Sequence, residues 1–376
     1  MAKRGAGGEK GDGGMMKINL SESMFGTEPF VLFEHPQISA VAFRYPSGIA
    51  GLRLVTPRVS LVALPFRGQQ LWEPVVDGQE IGMQGMTRQP VPSERLLDGF
   101  GAFFFHCGLT GTSAPGPEDD HALHGELPMA PMQAAWLEID LAGDAPRITL
   151  RSATLFQRAY KAHYRAVPYV TLTAGAALFE VGIEVTNLGG APMPFMYLAH
   201  PNFRPVDAGR LVYSAPYTPE AVRVRAEIPS HLTVKPEFSQ LLQEMQQDPA
   251  AHHLLEAGRS YDPEVVFQID YRADSDGWAH SMQVHPDGSA DWFAHRPEQC
   301  PRALRWISRS PDLQALAMAE PTTSGQRGYR AEAAAGTVPL LAPGASWTAC
   351  FRMGRLDAAE AAAQARAVDL ICGRPG

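Results

Sequence analysis

The feature that most constrains the fold of this chain is the recurrence of short segments in which apolar and polar residues alternate. In LFEVGIEVTN, residues 178–187, every second side chain from Phe179 to Val185 is apolar. Successive side chains of a strand point to opposite faces, so this pattern predicts a half-buried antiparallel strand. Similar segments are ISAVAFRY, GLRLVT, RVSLVAL, AAWLEI, PYVTLTA, EVVFQIDYRA, HSMQVH, ALRWIS, LQALAMAE and SWTACFRM.

Turn residues separate these segments, and helical patterns are few. The 376 residues include 35 glycines and 32 prolines, which are typical of turns. Only residues 236–249 and 356–373 have helical character, and Asp357 and Gly373 are suited to begin and end the second helix. The sequence contains neither βαβ alternation nor a glycine-rich nucleotide motif. We therefore predict an all-β fold, a large antiparallel β-sandwich with a few short helices.

Composition suits a globular protein with a sizeable core, and it argues against some classes of partner. Residues 1–20 are glycine-rich and are predicted to be disordered, and residues 21–376 are predicted to form one domain ending in a helix. The net charge of −8 argues against nucleic acid or a membrane surface as partner. No apolar run suits a membrane span or a secretory signal. The four cysteines form no CxxC pair, which favours free thiols and a cytoplasmic protein.

One loop concentrates groups that can carry chemistry. The stretch DDHALHGELP, residues 119–128, contains His121, His124 and Glu126 around a flexible Gly125. Imidazole and carboxylate groups suit zinc, manganese or iron, and His200 would be a fourth ligand. The spacing matches no standard metal motif, however. We therefore predict a site without metal or organic cofactor, with metal binding by this loop and a plain polar loop as alternatives.

Two further candidates stand where predicted strands end. Pro201 follows His200 and interrupts strand pairing, and Pro321 follows Glu320 at the end of an apolar strand. A polar side chain at a strand end is well placed to face a cleft. The alternative interpretations are a histidine hydrogen-bonded within the core and a solvated glutamate.

These residues resemble landmarks of the aldose 1-epimerase, or galactose mutarotase, superfamily. The matching segments are LHG at 123–125, TNLGGAPMPFMYLAHPNF at 186–203, and EPTT at 320–323 followed by LLAPGASW at 340–347. An uncharacterised bacterial branch of that superfamily shares the CGL at 107–109 and a block similar to DSDGWA at 274–279. The resemblance extends from about residue 38 to residue 355.

The resemblance implies a fold, a reaction and three catalytic residues. The fold would be the galactose mutarotase-like β-supersandwich with a sugar cleft. Glu320 would remove the proton of the anomeric hydroxyl, His200 would protonate the ring oxygen, and His124 would hydrogen-bond to the sugar. Carboxylate and imidazolium perform such transfers near neutral pH, and a nearby imidazolium would keep Glu320 ionised. The implied activity is that of an aldose 1-epimerase-like isomerase that interconverts sugar anomers.

The sugar-binding groups are less well defined. The family segment G-R-x-x-N-R-I is missing, and Arg88 or Arg95 is its candidate substitute. An arginine in the cleft would suit an anionic sugar. The predicted substrate-binding residues are Arg88, His106, Asn202, Arg204 and Asp207, and Asp262 and Asp270 are alternatives to the aspartate.

Two other functions remain open at this point. One is a metal-dependent sugar isomerase or epimerase on the same fold, with His121, His124 and Glu126 as ligands. The other is a non-catalytic carbohydrate-binding protein in which tryptophans stack on a sugar. The tryptophans considered for stacking are Trp72, Trp278, Trp292 and Trp306. Exposed sheet edges favour a homodimer.

Overall fold

The computed structural model describes residues 9–10, 15–226, 232, 234 and 236–374. Strands dominate, so the predicted all-β fold class is confirmed. The strands are β1 Glu9–Lys10, β2 Met15–Leu20, β3 Phe30–His35, β4 Ile38–Arg44, β5 Ala50–Val55, β6 Val59–Ala63, β7 Leu71–Val76, β8 Gln79–Glu80, β9 Phe104–Leu109, β10 Ala134–Asp140, β11 Arg147–Arg158, β12 Ala162–Thr173, β13 Leu178–Asn187, β14 Met193–Pro194, β15 Met196–Pro201, β16 Gly209–Tyr213, β17 Val222–Val224, β18 Leu254–Leu255, β19 Tyr261–Ile269, β20 Ala279–Val284, β21 Ala290–His295, β22 Arg302–Arg309, β23 Gln314–Thr322, β24 Leu340–Leu341 and β25 Ser346–Leu356. The helices are α1 Pro236–Gln247, α2 Tyr329–Ala334 and α3 Ala358–Cys372, with 3₁₀ turns at Glu22–Met24, Leu96–Gly99, Leu127–Met129 and Pro249–His252.

Two large antiparallel sheets form the sandwich. The first has the strand order β1-β2-β10-β11-β12-β13-β25-β21-β20-β16-β18. The second has the order β17-β19-β22-β23-β15-β9-β7-β6-β5-β4-β3, and β8 pairs with β7. A small third sheet pairs β14 with β24. In the second sheet, β15 lies between β9 and β23, so chain segments distant in sequence become neighbours.

The alternating pattern assigns each strand residue to one of two apolar layers. In β9, Phe104 belongs to the main core between the sheets. Its neighbours Phe105 and Cys107 belong to a second cluster on the other face of the sheet, together with Trp72 and Trp306. Every residue of β9 is buried, which agrees with burial of both faces of this strand. The second sheet therefore has an outer face that is covered by loops.

The two predicted helices are confirmed, and the first 20 residues contain a difference. Asp357 caps α3 through a capping box, and Gly373 ends it with φ of 66°. The expectation of disorder is wrong for Met15–Leu20, which forms β2 and pairs with β10. Ile18 and Leu20 are buried there, and this burial stabilises β2. The rest of residues 1–14, apart from β1, lies outside the described residues.

None of the helices in the described part of the chain has the length and hydropathy needed to span a bilayer. All four cysteines are free thiols, and Cys107 and Cys300 are buried.

Candidate active site on the outer face of the second sheet

Strand register brings two of the predicted catalytic residues to one face. In β15, His200 pairs with Phe105 of β9, and Leu198 pairs with Thr322 of β23. Side chains two residues apart share a face, so His200 and Leu198 project with Phe105. The same rule places Glu320 on the face of Thr322. Strand β15 therefore aligns the histidine and the glutamate although 120 residues separate them (320 − 200).

The structure brings His124, His200 and Glu320 together. Nε2 of His200 lies 3.3 Å from Oε1 of Glu320. The His124 ring packs edge-on against the His200 ring, with 5.2 Å between ring centroids. His200 and Glu320 are each only 4% exposed. Oε1 of Glu320 makes no hydrogen bond with the described residues, because the approach of His200 lacks hydrogen-bond geometry. The carboxylate is thus in contact distance of a proton-transfer partner.

Aromatic rings surround this pair. Phe105 stacks on His200 at 4.6 Å, Trp306 lies edge-on to it at 5.4 Å, and Phe100 lies at 6.0 Å. The register between β22 and β23 shifts here, since Leu304 pairs with Glu320 but Trp306 pairs with Ala317. Apolar walls with few polar groups are typical of small-molecule sites.

Two of the four candidate tryptophans lie elsewhere. Trp278 and Trp292 belong to an apolar cluster formed by strands of the first sheet, whereas Trp72 and Trp306 share the cluster that surrounds the pair. The structure thus reduces the tryptophans available for stacking near His200 to these two.

Burial gives Glu320 and His200 protonation states that differ from those expected from the sequence. The pKa of Glu320 is raised to about 8, mainly by burial and further by the charge of Glu264, against the opposing effect of Arg225. Burial, and then the neighbouring His124, hold the pKa of His200 well below its ordinary value. Near neutral pH, these shifts favour a protonated Glu320 beside a neutral His200. The expectation of a carboxylate beside an imidazolium is wrong for this state, because desolvation penalises both charged forms.

Two functional candidates, Glu264 and Arg225, were missed from the sequence. Glu264 on β19 forms an ion pair with Arg225 and accepts a hydrogen bond of 2.6 Å from the Trp306 indole. The Trp306 ring also lies 5.4 Å from the His200 ring, so this hydrogen bond connects the ion pair to the site. Carboxylate and guanidinium groups can bind sugar hydroxyls as acceptor and donor. Glu264 lies within the predicted strand EVVFQIDYRA, and a charged side chain on the solvent face of a strand gives no functional signal. Only the pairing of β19 with β22 shows that Glu264 lies near Trp306.

The proposed metal ligands do not fit a metal ion. The carboxylate of Glu126 accepts hydrogen bonds from Leu109 N, Thr110 N, Thr110 Oγ1 and Tyr164 Oη. His121 is buried and contacts Ala122 O through Nδ1. Within the described ranges, no three histidine, cysteine or acidic side chains form a group that could hold a metal. Both carboxylate oxygens of Glu126 thus already accept hydrogen bonds that hold the loop.

His106 faces the wrong side of its strand for a substrate-binding role. It pairs with Ala199, one register position from the Phe105–His200 pair. Its Nδ1 lies 2.7 Å from Tyr197 Oη, in the core between the sheets. A one-residue step along a strand reverses the direction of the side chain, which explains the difference.

Asp207 also lies away from the pocket. It forms an ion pair with Arg309, which pairs with Gln314. Glu320, in contrast, pairs with Leu304, which lies on β22 together with Arg309. Five residues separate Leu304 from Arg309, and five strand residues span roughly 16 Å. Asp207 therefore stabilises the opposite end of β22.

The remaining predicted binding residues are distributed. Asn202 is fully buried next to the pocket, and its Nδ2 donates to Ala102 O at 2.8 Å. Arg204 lines a different cavity of about 520 Å³, together with His285 and Asp291. Arg88 is exposed in the irregular segment between β8 and β9, and Arg95 is exposed beside Asp98.

Comparison with solved structures supports the fold. A candidate aldose 1-epimerase from Klebsiella pneumoniae is 17% identical, with a TM-score of 0.78 and coverage of 95% of this chain and 96% of that chain. A galactose mutarotase-like protein from Clostridium acetobutylicum is 12% identical, with a TM-score of 0.56 and coverage of 86% and 99%. The galactose 1-epimerase of Lactobacillus acidophilus is 9% identical, with a TM-score of 0.51 and coverage of 88% and 98%. The chain therefore has the galactose mutarotase-like fold that the sequence predicted.

The family comparison is consistent with this fold. No curated protein sequence matches the chain. Residues 47–354 match the family model described as a domain of unknown function, DUF4432. That match covers most of the chain, including His124, His200 and Glu320. The protein is thus a member of the DUF4432 family, built on the galactose mutarotase-like fold.

Proposed function

We propose that this protein is an isomerase that interconverts the anomers of an aldose or a modified aldose by acid–base catalysed ring opening. The observation that carries the proposal is the separation of 3.3 Å between Nε2 of His200 and Oε1 of Glu320. Two titratable groups at that distance, with perturbed pKa values and aromatic walls, are a functional-site signature. The structurally similar proteins include a candidate aldose 1-epimerase and a galactose mutarotase-like protein, which agrees with this class.

The pair needs only one proton for the reaction. Transfer of the Glu320 proton to His200 gives a carboxylate and an imidazolium with no change in total charge. The hydroxyls of a bound sugar supply the polar contacts that favour these charged forms. Glu320 then accepts the proton of the anomeric hydroxyl while the bond between C1 and the ring oxygen breaks. His200 delivers its proton to that oxygen, and an open-chain aldehyde results.

Reversal of these transfers completes the exchange. Rotation about the C1–C2 bond presents the other face of the aldehyde. On ring closure, Glu320 gives its proton back to the C1 oxygen, and His200 takes back the proton of the hydroxyl that becomes the ring oxygen. His124 holds the sugar next to His200. Glu264 and Arg225 offer an acceptor and a donor for further hydroxyls, and Trp306 offers an aromatic face.

A saturation-exchange NMR screen of aldoses, uronates and sugar phosphates tests the proposal. We expect the protein to accelerate anomer exchange of at least one of these sugars. The Glu320→Gln variant should lose about 10²–10⁴-fold of the acceleration, the usual contribution of a general acid or base. Glu298→Gln, at an exposed site, is the matched control and should retain full exchange.

Two results would contradict the proposal in different ways. A sugar that binds without accelerated exchange would identify a carbohydrate-binding protein instead of an isomerase. Full exchange in Glu320→Gln would remove Glu320 from the mechanism.

A further inference from the structure

The loop that carries His124 is held by a carboxylate that the mechanism does not use. Oε1 of Glu126 accepts hydrogen bonds from Leu109 N at 2.9 Å and from Tyr164 Oη at 2.6 Å. Oε2 accepts one from Thr110 Oγ1 at 2.7 Å, and Thr110 N donates to the same carboxylate. These donors belong to the end of β9 and to β12. One side chain therefore connects the loop to both large sheets.

His124 requires such support because its backbone is in an unfavourable conformation. Its φ is +60°, and that of Gly125 is +78°, a region that residues with a Cβ atom rarely adopt. The backbone makes two hydrogen bonds, from His124 N to Ser113 O and from Gly108 N to His124 O. A Cβ on Gly125 would lie 2.3 Å from Gly111 O. The loop is therefore closely packed around an irregular backbone, and such strain persists only where surrounding contacts enforce it.

We propose that Glu126 is a positioning residue, which holds His124 in the orientation that places its ring 5.2 Å from the His200 ring. The proposal rests on the proposed function, in which His124 holds the sugar. It assigns a role to Glu126, which follows His124 and Gly125 in the loop. Every contact of Glu126 named above is to a hydrogen-bond donor, which suits a carboxylate. An amide N–H of glutamine could donate to the two hydroxyls, but it would also face the backbone N–H of Leu109 or Thr110, which cannot accept.

A double-mutant cycle tests this role. We expect Glu126→Gln to lower kcat/KM for anomer exchange by about tenfold to a hundredfold, the usual loss when a supporting group or an orientation of about 1 Å is disturbed. In the His124→Ala background, the same substitution should have no further effect, since the positioned ring is gone. An equal loss in both backgrounds would overturn the proposal, because Glu126 would then act independently of His124.

A second variant avoids dependence on a folded Glu126→Gln protein. Tyr164→Phe removes only the hydroxyl that donates to Glu126 at 2.6 Å and should lower kcat/KM several-fold. Tyr169→Phe on the same strand removes a hydroxyl that donates to Glu180 at 3.2 Å, and it should retain full activity. Equal activity of the two variants would contradict the proposal.

An NMR measurement of the ring separates this proposal from the proposed function. The imidazole ¹H–¹⁵N signals of His124 can be assigned by their loss in His124→Ala. We expect them to shift in Glu126→Gln and in Tyr164→Phe, but not in Tyr169→Phe. Unchanged His124 signals would refute the positioning role, whether or not a sugar is turned over. Absence of turnover with shifted signals would refute only the proposed function.

Discussion

Replacing Glu320 by glutamine should stabilise the fold while abolishing activity. The pKa of Glu320 is raised from 4.5 to about 8 by burial and by Glu264. Between these two values, the unfolded chain releases a proton that the folded chain retains. The stability of the wild-type protein therefore falls as the pH rises from 4.5 to about 8, and it levels off above. Glutamine does not titrate, so Glu320→Gln escapes this loss.

The size of the effect follows from the pKa difference. The interval from 4.5 to about 8, at about 1.4 kcal/mol per pKa unit, corresponds to about 5 kcal/mol in total. Between pH 5 and pH 8.5, the advantage of the variant should increase by about 4 kcal/mol. The substitution still buries a polar group of the same size, because the glutamine amide has the shape of the glutamate carboxyl.

Urea unfolding followed by tryptophan fluorescence measures this difference. The free energies of unfolding of wild type and Glu320→Gln are compared at pH 5, 7 and 8.5. Glu298→Gln, at an exposed site, is the control and should differ from wild type by the same amount at each pH. If the difference between wild type and Glu320→Gln also stayed constant with pH, the pKa reasoning would be refuted.

Three further predictions concern other parts of the molecule. Burial lowers the pKa values of His106 and His295 to about 3. As the pH falls below 6.5, these two histidines become protonated in the unfolded chain but stay neutral in the folded chain. Each histidine should therefore reduce the free energy of unfolding by about 2 kcal/mol at pH 5 relative to pH 8. Urea titrations of wild type and His106→Asn should show this, with less acid sensitivity in the variant. Trp306→Phe, which loses the 2.6 Å hydrogen bond to Glu264, should raise KM several-fold in the exchange assay with little change in kcat. Asp207→Asn should leave kcat/KM unchanged, and a large loss would show that Asp207 contributes to the pocket.

The sequence alone contained the pattern of strands and the order of the motifs. Alternation of apolar and polar residues is a local property, so segments such as residues 178–187 could be assigned without any neighbour. The ends of α3 were equally accessible, because Asp357 and Gly373 act on the backbone next to them. The three motifs that named His124, His200 and Glu320 are also linear features of the chain.

The tertiary structure decided which side each residue faces and in what protonation state it stands. Phe105 and His106 are neighbours in one predicted strand. Only the pairing of β9 with β15 shows that Phe105 faces the pocket and that His106 faces the core. Glu264 became a pocket residue only through sheet order. Protonation depends on desolvation and on charges from distant segments, and neither exists until the sheets pack, so the proton on Glu320 could not be read from the sequence.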